Sequence, residues 1–510
     1  MKKLICVLCC VAILISSLCI SAFADTSEQF VAKSSITGDA NGDSSVNLLD
    51  LIALRKKLAL FKVSLNYENI DIDGDCKVNV LDLLLLRKML AKYNVTVSES
   101  FAKDNIDINS TVEDMGIPSA SVWSDWGGVE KVISRNPYDM VTYGDYVFIS
   151  NGNFNTNQGP VYIYYVGRDS ERCSKSLDIQ TEQANKFYIF DNKMYTLAID
   201  PIVWMTGSFY AYQKGGKWTQ RNVLKDNIHC FDMIKHNGKY FFAGSNVNYT
   251  EEGYEESMGT VYACDENDIM GAADKFSLVP IVDRYNQVIN YENTVFGVPR
   301  VYELMEFEGE LYALFYNWGE EAAMNGEYGD YSYNRVKDHQ QNGVYKYNEE
   351  KNQFEYCDGL TMVDQFKGPG YTQDRENVMT DFEWNDQYIV VNDALYVTDD
   401  LKTWETRAIP GYEDYIIRDC QVIGDKLYFL ANVKVADGKW TNAVFESSDL
   451  KNFRRILYFD TANWLRSFAY TNGTFIFCVG AYGNEIEAED GSLTAWGKEC
   501  GRVYRYKYYN

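Results

Sequence analysis

Two stretches near the start of the chain repeat one pattern of oxygen-bearing side chains. The first begins at Asp39 and the second at Asp71, and each places oxygen atoms at positions 1, 3, 5, 9 and 12 of a twelve-residue loop. Ca²⁺ takes six to eight oxygen ligands, so each loop can wrap one ion, whereas Mg²⁺ needs a stricter octahedron and fits less well. The predicted ligands, with main-chain carbonyls from Ser45 and Lys77 at position 7, are Asp39, Asn41, Asp43, Ser45, Asn47 and Asp50, and Asp71, Asp73, Asp75, Lys77, Asn79 and Asp82.

A helical pattern follows each loop. Apolar residues recur at positions 48, 51, 54, 58 and 61 after the first loop, and at 81, 84, 85 and 89 after the second. This spacing predicts one amphipathic helix per copy, which begins inside its own metal loop.

The whole repeated unit resembles type I dockerins. The resemblance rests on the duplicated loop, on Asp instead of Glu at position 12, on Val-Asn at positions 8 and 9, and on an Arg-Lys pair at the same offset in both helices. It implies two bound Ca²⁺ ions and a cohesin partner on the scaffoldin of a cellulosome-type assembly. The positions that match the family's partner-facing residues are Leu48, Leu49, Arg55, Lys56, Val80, Leu81, Arg87 and Lys88.

Loop position 6 departs from an ideal calcium loop in both copies, and the number of carboxylates differs between the two copies. Position 6, which favours Gly, is Ser44 in one loop and Cys76 in the other, and positive φ at a non-Gly residue costs on the order of 1 kcal/mol. The second loop carries the additional carboxylate Asp73 where the first has Asn41. Because more anionic ligands attract the cation more strongly, we expect the second site to bind Ca²⁺ more tightly.

The first 24 residues have the features of a secretory signal. Two lysines precede an apolar run, and small residues around Ala24 provide a cleavage site. We therefore expect a secreted protein without a membrane span. The predicted domains are a signal peptide at 1–24, a linker at 25–37, the dockerin at 38–93, a second linker at 94–119 and one large domain at 120–510.

The composition excludes several classes of function. The formal charge of −25 argues against a nucleic-acid partner. No Walker loop, dinucleotide fingerprint, Gly-x-Ser-x-Gly elbow or His-Glu-x-x-His motif occurs, and three histidines make a His-rich metal site improbable. The eight cysteines outside the signal are scattered without a CxxC pair, which favours buried free thiols. Disulfide bonds are the alternative, and the spacing does not assign them.

The large domain repeats a strand, a two-residue turn and further strands. The turns are Gly144-Asp145, Asp191-Asn192, Asn237-Gly238, Glu308-Gly309, Asn385-Asp386, Gly424-Asp425 and Asn472-Gly473, and an aromatic third strand follows each. Seven such units predict a mainly β fold, a β-propeller of about seven blades preceded by the small all-α dockerin. A pair of β-sandwiches is the alternative. The chain ends on a third strand, so a strand from the start of the domain must close the ring, and residues 129–134 are our candidate.

Two turns have a more specific signature, at Asp400 to Trp404 and at Asp449 to Phe453. They are similar to turns of arabinanase-like glycosidases and, more loosely, to the Asp-box of sialidases. In both families this motif braces the outer blade, so we expect a structural role for these residues.

Long loops are predicted to emerge on a single face of the propeller, because they join second to third strands or one blade to the next. A glycosidase needs two carboxyl groups flanking the scissile bond, and aromatic rings give sugars a flat platform. The loops supply both types, although no pair stands out, in Glu251, Glu252, Glu255, Asp283, Arg284, Tyr285, Trp318, Glu320, Glu321, Asp330, Tyr331, Asp338, His339, Asp374, Arg375, Glu376 and Asp381.

The sequence therefore predicts a secreted, scaffold-associated protein whose propeller acts on polysaccharide as a candidate glycoside hydrolase. This activity rests on the usual cargo of dockerins and not on an identified site. A non-catalytic propeller that binds glycan or protein is the alternative.

Overall fold

A computed structural model gives the fold. It describes residues 36–61, 63, 65–73, 77–93, 112–118, 122–124, 130–133, 136–152, 161–179, 181–201, 206–249, 255–290, 299–317, 320, 324–325, 340–360, 380–392, 394–459, 464–480 and 494–508. The predicted signal segment lies outside these ranges. Within them, none of the helices combines the length and the apolar content that a membrane crossing requires.

The N-terminal repeat forms a small helical module. Its two equivalent helices are Leu48–Leu58 and Val80–Leu90, and a four-residue helix, Tyr67–Ile70, lies between them. Asn47 and Asn79 cap the two long helices, each through a capping box that its Asp three residues later completes. The apolar stripes of both helices bury Leu54 and Leu86 in one shared core.

Most of the remaining described chain forms seven groups of four antiparallel strands, which are the blades of a propeller. Blade 1 consists of Asn136–Tyr143, Tyr146–Gly152, Val161–Gly167 and Ser174–Ile179. Blade 2 consists of Phe187–Phe190, Lys193–Leu197, Thr206–Gln213 and Thr219–Lys225. Blade 3 consists of Asn227–His236, Lys239–Tyr249, Glu255–Asp265 and Ser277–Leu278. Blade 4 consists of Arg300–Phe307, Glu310–Tyr316, Gly343–Asn348 and Gln353–Tyr356, and Ile281–Val282 pairs in parallel with its outer strand. Blade 5 consists of Thr380–Trp384, Gln387–Asn392, Ala394–Thr398 and Glu405–Arg407. Blade 6 consists of Tyr415–Ile423, Lys426–Ala436, Lys439–Ser447 and Arg454–Phe459, and blade 7 of Leu465–Thr471, Thr474–Val479, Val503–Lys507 and Glu113–Gly116.

Shorter elements connect or flank the blades. Two short strands, Thr181–Gln183 and Ile199–Pro201, pair with each other between blades 1 and 3, and Val122–Ser124 pairs with Glu130–Ile133. Short helices occur at Glu266–Asp268, Ala273–Lys275 and Ala495–Glu499.

All seven predicted hairpin turns join the first and second strands of a blade. Both residues of the turns at Asn237, Asn385 and Asn472 have positive φ, as a type I′ turn requires. At Gly144 and Gly424 only the first residue does, which is the type II′ pattern. The alternative of paired β-sandwiches is excluded, because seven four-stranded units follow one another in sequence.

The strand that closes the ring is not the predicted one. Glu113–Gly116 pairs with Val503–Lys507 and completes blade 7. The candidate at residues 129–134 was wrong, because Glu130–Ile133 forms a local hairpin with Val122–Ser124 instead. Glu113–Gly116 carries two acidic residues and a Gly, so it lacks the hydrophobic alternation of a strand, and it lies inside the segment that the sequence reading assigned to a linker.

The two Asp turns brace the outer half of their blades. The carboxylate of Asp400 accepts the N–H groups of Lys402 and Thr403, each at 2.7 Å. Asp449 does the same in blade 6, and these hydrogen bonds lower its pKa to about 2. The buried Leu401 and Leu450 sit in these turns at positive φ. This geometry agrees with the structural role predicted for the motif.

Candidate functional site

The acidic loop residues of the helical module converge as a metal site requires. Carboxylate oxygens of Asp39, Asp43 and Asp50 lie within 4.8 Å of one another, as do those of a second group, Asp71, Asp73 and Asp82. Asp39, Asp50 and Asp82 are buried. Buried carboxylates gathered at this separation repel one another, so the donor set fits a hard cation such as Ca²⁺.

The loop backbone is folded around these carboxylates. Asp39 accepts the N–H groups of Gly42 and Ser44, at 2.8 and 2.9 Å. Ser44 has φ of 66°, as expected for the turn position where Gly is preferred. The predicted ligands Asn47 and Asn79 use Oδ1 to accept the N–H groups of Leu49 and Leu81 and so cap the helices. Asp75 and Cys76 lie outside the described residues.

The predicted partner-facing residues all lie on the surface. Leu48, Leu49, Val80 and Leu81 are 63, 57, 68 and 55 % exposed, which is unusual for apolar side chains at the start of a helix. The charged members Arg55, Lys56, Arg87 and Lys88 are exposed as well. Each helix therefore presents an apolar pair and a basic pair at equivalent positions, next to an acidic loop.

The propeller has a second candidate site on its axis. One polar residue from the innermost strand, or from the position just before it, reaches the channel in every blade. We call Asp139, Lys186, Asp232, Glu303, Asp381, Asp419 and Ser467 the axial ring. The members from blades 2 to 5 contact or face one another across the axis, as the charge interactions between Lys186, Asp232, Glu303 and Asp381 show.

Local irregularities in the strands position the ring. In blades 1, 3, 4, 6 and 7 the innermost strand carries an extra residue beside the ring position. Such a β-bulge re-aims the neighbouring side chain. In blade 4, for example, Tyr302 is the additional residue, and Glu303 then points to the axis.

Three ring carboxylates tie neighbouring blades together. Asp139, Asp232 and Asp419 accept the backbone N–H groups of Phe187, Leu304 and Phe468, at 2.7, 2.7 and 3.0 Å. In each case the donor is the residue that follows the ring member of the next blade. These hydrogen bonds close gaps between blades, so part of the ring has a structural function.

Lys186 is the cation of the ring. Its ammonium contacts the carboxylate of Glu303 and lies 3.3 Å from Oδ1 of Asp381. Burial alone would lower the pKa of Lys186, but the negative charges of Glu303, Asp232 and Asp381 outweigh burial and raise it. The ammonium thus links blades 2, 4 and 5 across the channel.

Burial changes the acidity of the ring carboxyl groups. It raises the pKa of Asp139 to about 6 and that of Asp419 to about 7, against the opposing effect of the hydrogen bonds that each accepts. The pKa values of Asp232 and Glu303 are raised for the same reason. Carboxyl groups of this kind can hold or release a proton near neutral pH.

A cavity of about 500 Å³ adjoins the ring on the side of the hairpin turns. Its wall contains Lys186, Glu303 and Asp381 together with the aromatic rings of Phe187 and Tyr388. This volume lies in the range of small-ligand sites, about 300 to 1,000 Å³.

A layer of aromatic and arginine side chains lies on the other side of the ring, toward the face from which the predicted long loops emerge. Phe231 stacks on Tyr302 with ring centroids 5.0 Å apart, and the Arg300 guanidinium lies 5.3 Å from the Phe231 centroid. Arg418 and Arg466 stack in the same way on Trp464 and Tyr138, at 4.5 and 4.8 Å. These are cation–π contacts, in which the ring face attracts the positive charge.

Of the loop residues that we considered for catalysis, Asp381 alone lies in the axial ring. Asp283 and Glu320 instead accept backbone N–H groups of their own or neighbouring loops. Arg284 donates to Gln340 and to the carbonyl of Asn342. Tyr285 is exposed, the side chain of Glu255 is not described, and Glu251, Glu252, Trp318, Glu321, Asp330, Tyr331, Asp338, His339, Asp374, Arg375 and Glu376 lie outside the described residues.

The remaining ring members were missed, although the sequence contained a signal for them. Asp139, Lys186, Asp232, Glu303, Asp419 and Ser467 each lie five positions before the first residue of a hairpin turn, and Asp381 lies four before. A polar residue at a constant distance from each turn is a pattern that a blade-by-blade alignment of the sequence reveals.

One comparison with known protein families matches the N-terminal helical module. Residues 37–91 match the family model of the Dockerin type I domain. No curated protein matches the chain.

Solved structures resemble the chain only distantly. Virginiamycin B lyase from Staphylococcus aureus is 9 % identical over 78 % of this chain and 98 % of its own, with a TM-score of 0.36. The β-propeller domain of the Trilobed protease from Pyrococcus furiosus is 10 % identical over 74 and 98 %, with a TM-score of 0.37. An α-L-arabinofuranosidase from Lactobacillus brevis is 7 % identical over 63 and 88 %, with a TM-score of 0.24. The fold assignment rests on the seven blades themselves.

The chain therefore combines a type I dockerin with a seven-bladed β-propeller. Dockerins bind calcium and cohesin modules, and they belong to extracellular cellulosome-type complexes.

Proposed function

We propose that this protein is a secreted component of a cellulosome-type complex, which docks through its dockerin onto a cohesin of a scaffoldin. The observation that carries the proposal is the paired arrangement of acidic loops and exposed apolar residues. Leu48 and Leu49 in one copy, and Val80 and Leu81 in the other, are exposed at equivalent positions beside converging carboxylates. One Ca²⁺ ion in each loop would fix the helix that presents them.

Calorimetric titration of the full chain with a cohesin tests this docking. Binding is expected in Ca²⁺ and is expected to disappear in a chelator. The variant Leu49→Asp/Leu81→Asp should lose affinity while it still binds Ca²⁺, because both side chains are exposed and neither is a predicted metal ligand. Undiminished cohesin binding by this variant would refute the assignment of the surface.

For the propeller, we propose action on polysaccharide, as a glycoside hydrolase. Support comes from the axial ring, where carboxyl groups with raised pKa values lie next to a cavity. A hydrolase needs one protonated and one ionised carboxyl group flanking the bond. Glu303, whose pKa burial raises, is our candidate acid, and Asp381 is its candidate partner, because both contact the Lys186 ammonium.

A specific observation favours the alternative, a non-catalytic propeller that binds glycan or protein. Asp139, Asp232 and Asp419 already accept hydrogen bonds from neighbouring blades, and Lys186 neutralises charge on Glu303 and Asp381. Groups engaged in this way can stabilise the ring without taking part in a reaction.

An activity screen on plant polysaccharides, run beside affinity electrophoresis on the same panel, separates the two functions. If the propeller is a hydrolase, the wild type should turn over a polysaccharide. The variants Glu303→Gln and Asp381→Asn should lose this turnover but should still be retained by the polysaccharide in electrophoresis. The control is Glu306→Gln, since Glu306 lines the same cavity on the same strand but pairs with His236. Retention of the wild type without turnover would establish the binding function instead.

A further inference from the structure

We propose that the dockerin packs against the hairpin-turn face of the propeller, so that the propeller is held in one orientation on its scaffold. The contact centres on Tyr67 of the dockerin and Arg168 of blade 1. The Arg168 guanidinium lies 3.9 Å from the centroid of the Tyr67 ring. Tyr67 is 3 % exposed and Arg168 is 9 % exposed, so the two side chains cover each other.

The propeller holds Arg168 in place from the opposite side. Its Nη1 donates to the carbonyl oxygens of Asn472 and Gly473, at 3.0 and 3.2 Å, and to Oγ1 of Thr474, at 3.0 Å. These acceptors form the hairpin turn of blade 7. A planar guanidinium can stack on an aromatic ring and donate at its edge at the same time, which Lys cannot do.

Apolar packing extends the contact beyond this stack. The dockerin core, which includes Leu54, Tyr67 and Ile70, is continuous with a cluster of blades 6 and 7 that includes Phe475 and Tyr508. Residues close to the hairpin turns, such as Ile423 and Tyr470, pack against the same cluster. The dockerin therefore adjoins the turns of blades 6 and 7.

Both calcium loops position Tyr67. The short helix Tyr67–Ile70 contains Asn69, whose carbonyl accepts the N–H of Gly38 and whose Nδ2 donates to the carbonyl of Asp39, at 3.3 Å. The helix ends directly before Asp71, the first residue of the second loop. Because the helix is held between the two loops, we expect Ca²⁺ to be needed for the contact as well as for cohesin binding.

The cohesin-facing residues stay exposed in this arrangement, as their exposed fractions show. Cohesin can thus bind while the dockerin contacts the propeller. Hairpin turns and the loops between second and third strands lie at opposite ends of the blades. The long-loop face would then point away from the scaffold. This orientation rests on the proposed cohesin docking, whereas the packing itself does not.

Small-angle X-ray scattering of the full chain tests the packing. In Ca²⁺, the wild type, Tyr67→Phe and Arg172→Ala should share one compact radius of gyration. Tyr67→Phe keeps the ring and removes a hydroxyl for which the described structure shows no hydrogen-bond partner, and Arg172 is an exposed residue near Arg168. Arg168→Ala and Tyr67→Ala should increase the radius of gyration and the maximum dimension, as should chelation of Ca²⁺ from the wild type.

Titration with cohesin distinguishes this packing from the docking function. Arg168→Ala should bind cohesin with unchanged affinity, because it alters only the propeller. The packing proposal is overturned if Arg168→Ala and the wild type have the same radius of gyration. This holds whether both proteins are compact or both are extended. If the wild type does not bind cohesin, the proposed docking function is refuted. The scattering result then still decides whether the dockerin packs against the propeller. If Tyr67→Ala fails to fold, Arg168→Ala still decides.

Discussion

Lys186 is the residue whose removal should most affect the propeller. Its side chain is 17 % exposed, and its ammonium pairs with Glu303 and Asp381, whose side chains are 5 and 6 % exposed. The substitution Lys186→Met keeps the length of the side chain but removes the charge. Two buried carboxyl groups, with Asp232 nearby, are then left without their cation.

The expected loss of stability follows from this geometry. Breaking a buried ion pair by removing one partner costs about 3 to 5 kcal/mol, because the remaining charge is uncompensated. Glu303 already has a raised pKa, and without Lys186 it rises further. An acid with a raised pKa in the folded state binds more protons there than in the unfolded state, so stability falls as pH rises above the unfolded value of about 4.3. The deficit of the variant should therefore be larger at pH 8 than at pH 5.

Urea denaturation followed by tryptophan fluorescence, at pH 5 and pH 8, measures this deficit. The control Lys217→Met removes an exposed lysine of the same blade and should leave the free energy of unfolding nearly unchanged. The double variant Lys186→Met/Glu303→Gln should recover part of the loss, since it removes one of the uncompensated charges. A deficit below 1 kcal/mol at pH 8, or one that does not depend on pH, would refute the idea that the ammonium holds the ring together.

Three further predictions concern the calcium loops and the ring. Asp39→Ala/Asp71→Ala should abolish cohesin binding while the thermal transition of the propeller persists, and binding that survives in a titration would contradict the docking assignment. A Ca²⁺ titration should resolve two sites, and the second loop should be the tighter one. The single variants Asp39→Ala and Asp71→Ala show which loop each site belongs to. A tighter first loop would show that the number of carboxylates does not decide the affinity. Since burial raises the pKa of Asp419 to about 7, the stability of the wild type should fall between pH 4 and pH 8, by at most about 4 kcal/mol from this residue. Asp419→Asn should flatten this dependence, and an unchanged slope would disprove the assignment.

The propeller could be predicted because its signals are local. A turn such as Asn472-Gly473 requires positive φ, which few residue types adopt, so residue type alone locates the hairpin. The structural role of Asp400 and Asp449 was predictable for the same reason, because their hydrogen bonds go to residues two and three positions further on.

The ring closure could not be found in this way, and neither could the convergence of the axial residues on one axis. Glu113–Gly116 becomes a strand only because the open edge of Val503–Lys507 lies beside it, and that edge is almost 400 residues away in the chain, as the pairing of Glu113 with Arg505 shows. Asp232 and Glu303 look like ordinary polar residues of a strand until the β-bulges turn them to the axis.

By itself, then, the sequence predicted the dockerin, its twelve candidate ligands and a propeller of about seven blades, since each depends on contacts between residues a few positions apart. Only the tertiary structure decided which carboxyl groups share Lys186, where burial raises their pKa values, and how Tyr67 meets Arg168. These properties depend on distance and burial, which arise when seven blades from distant parts of the chain surround one axis.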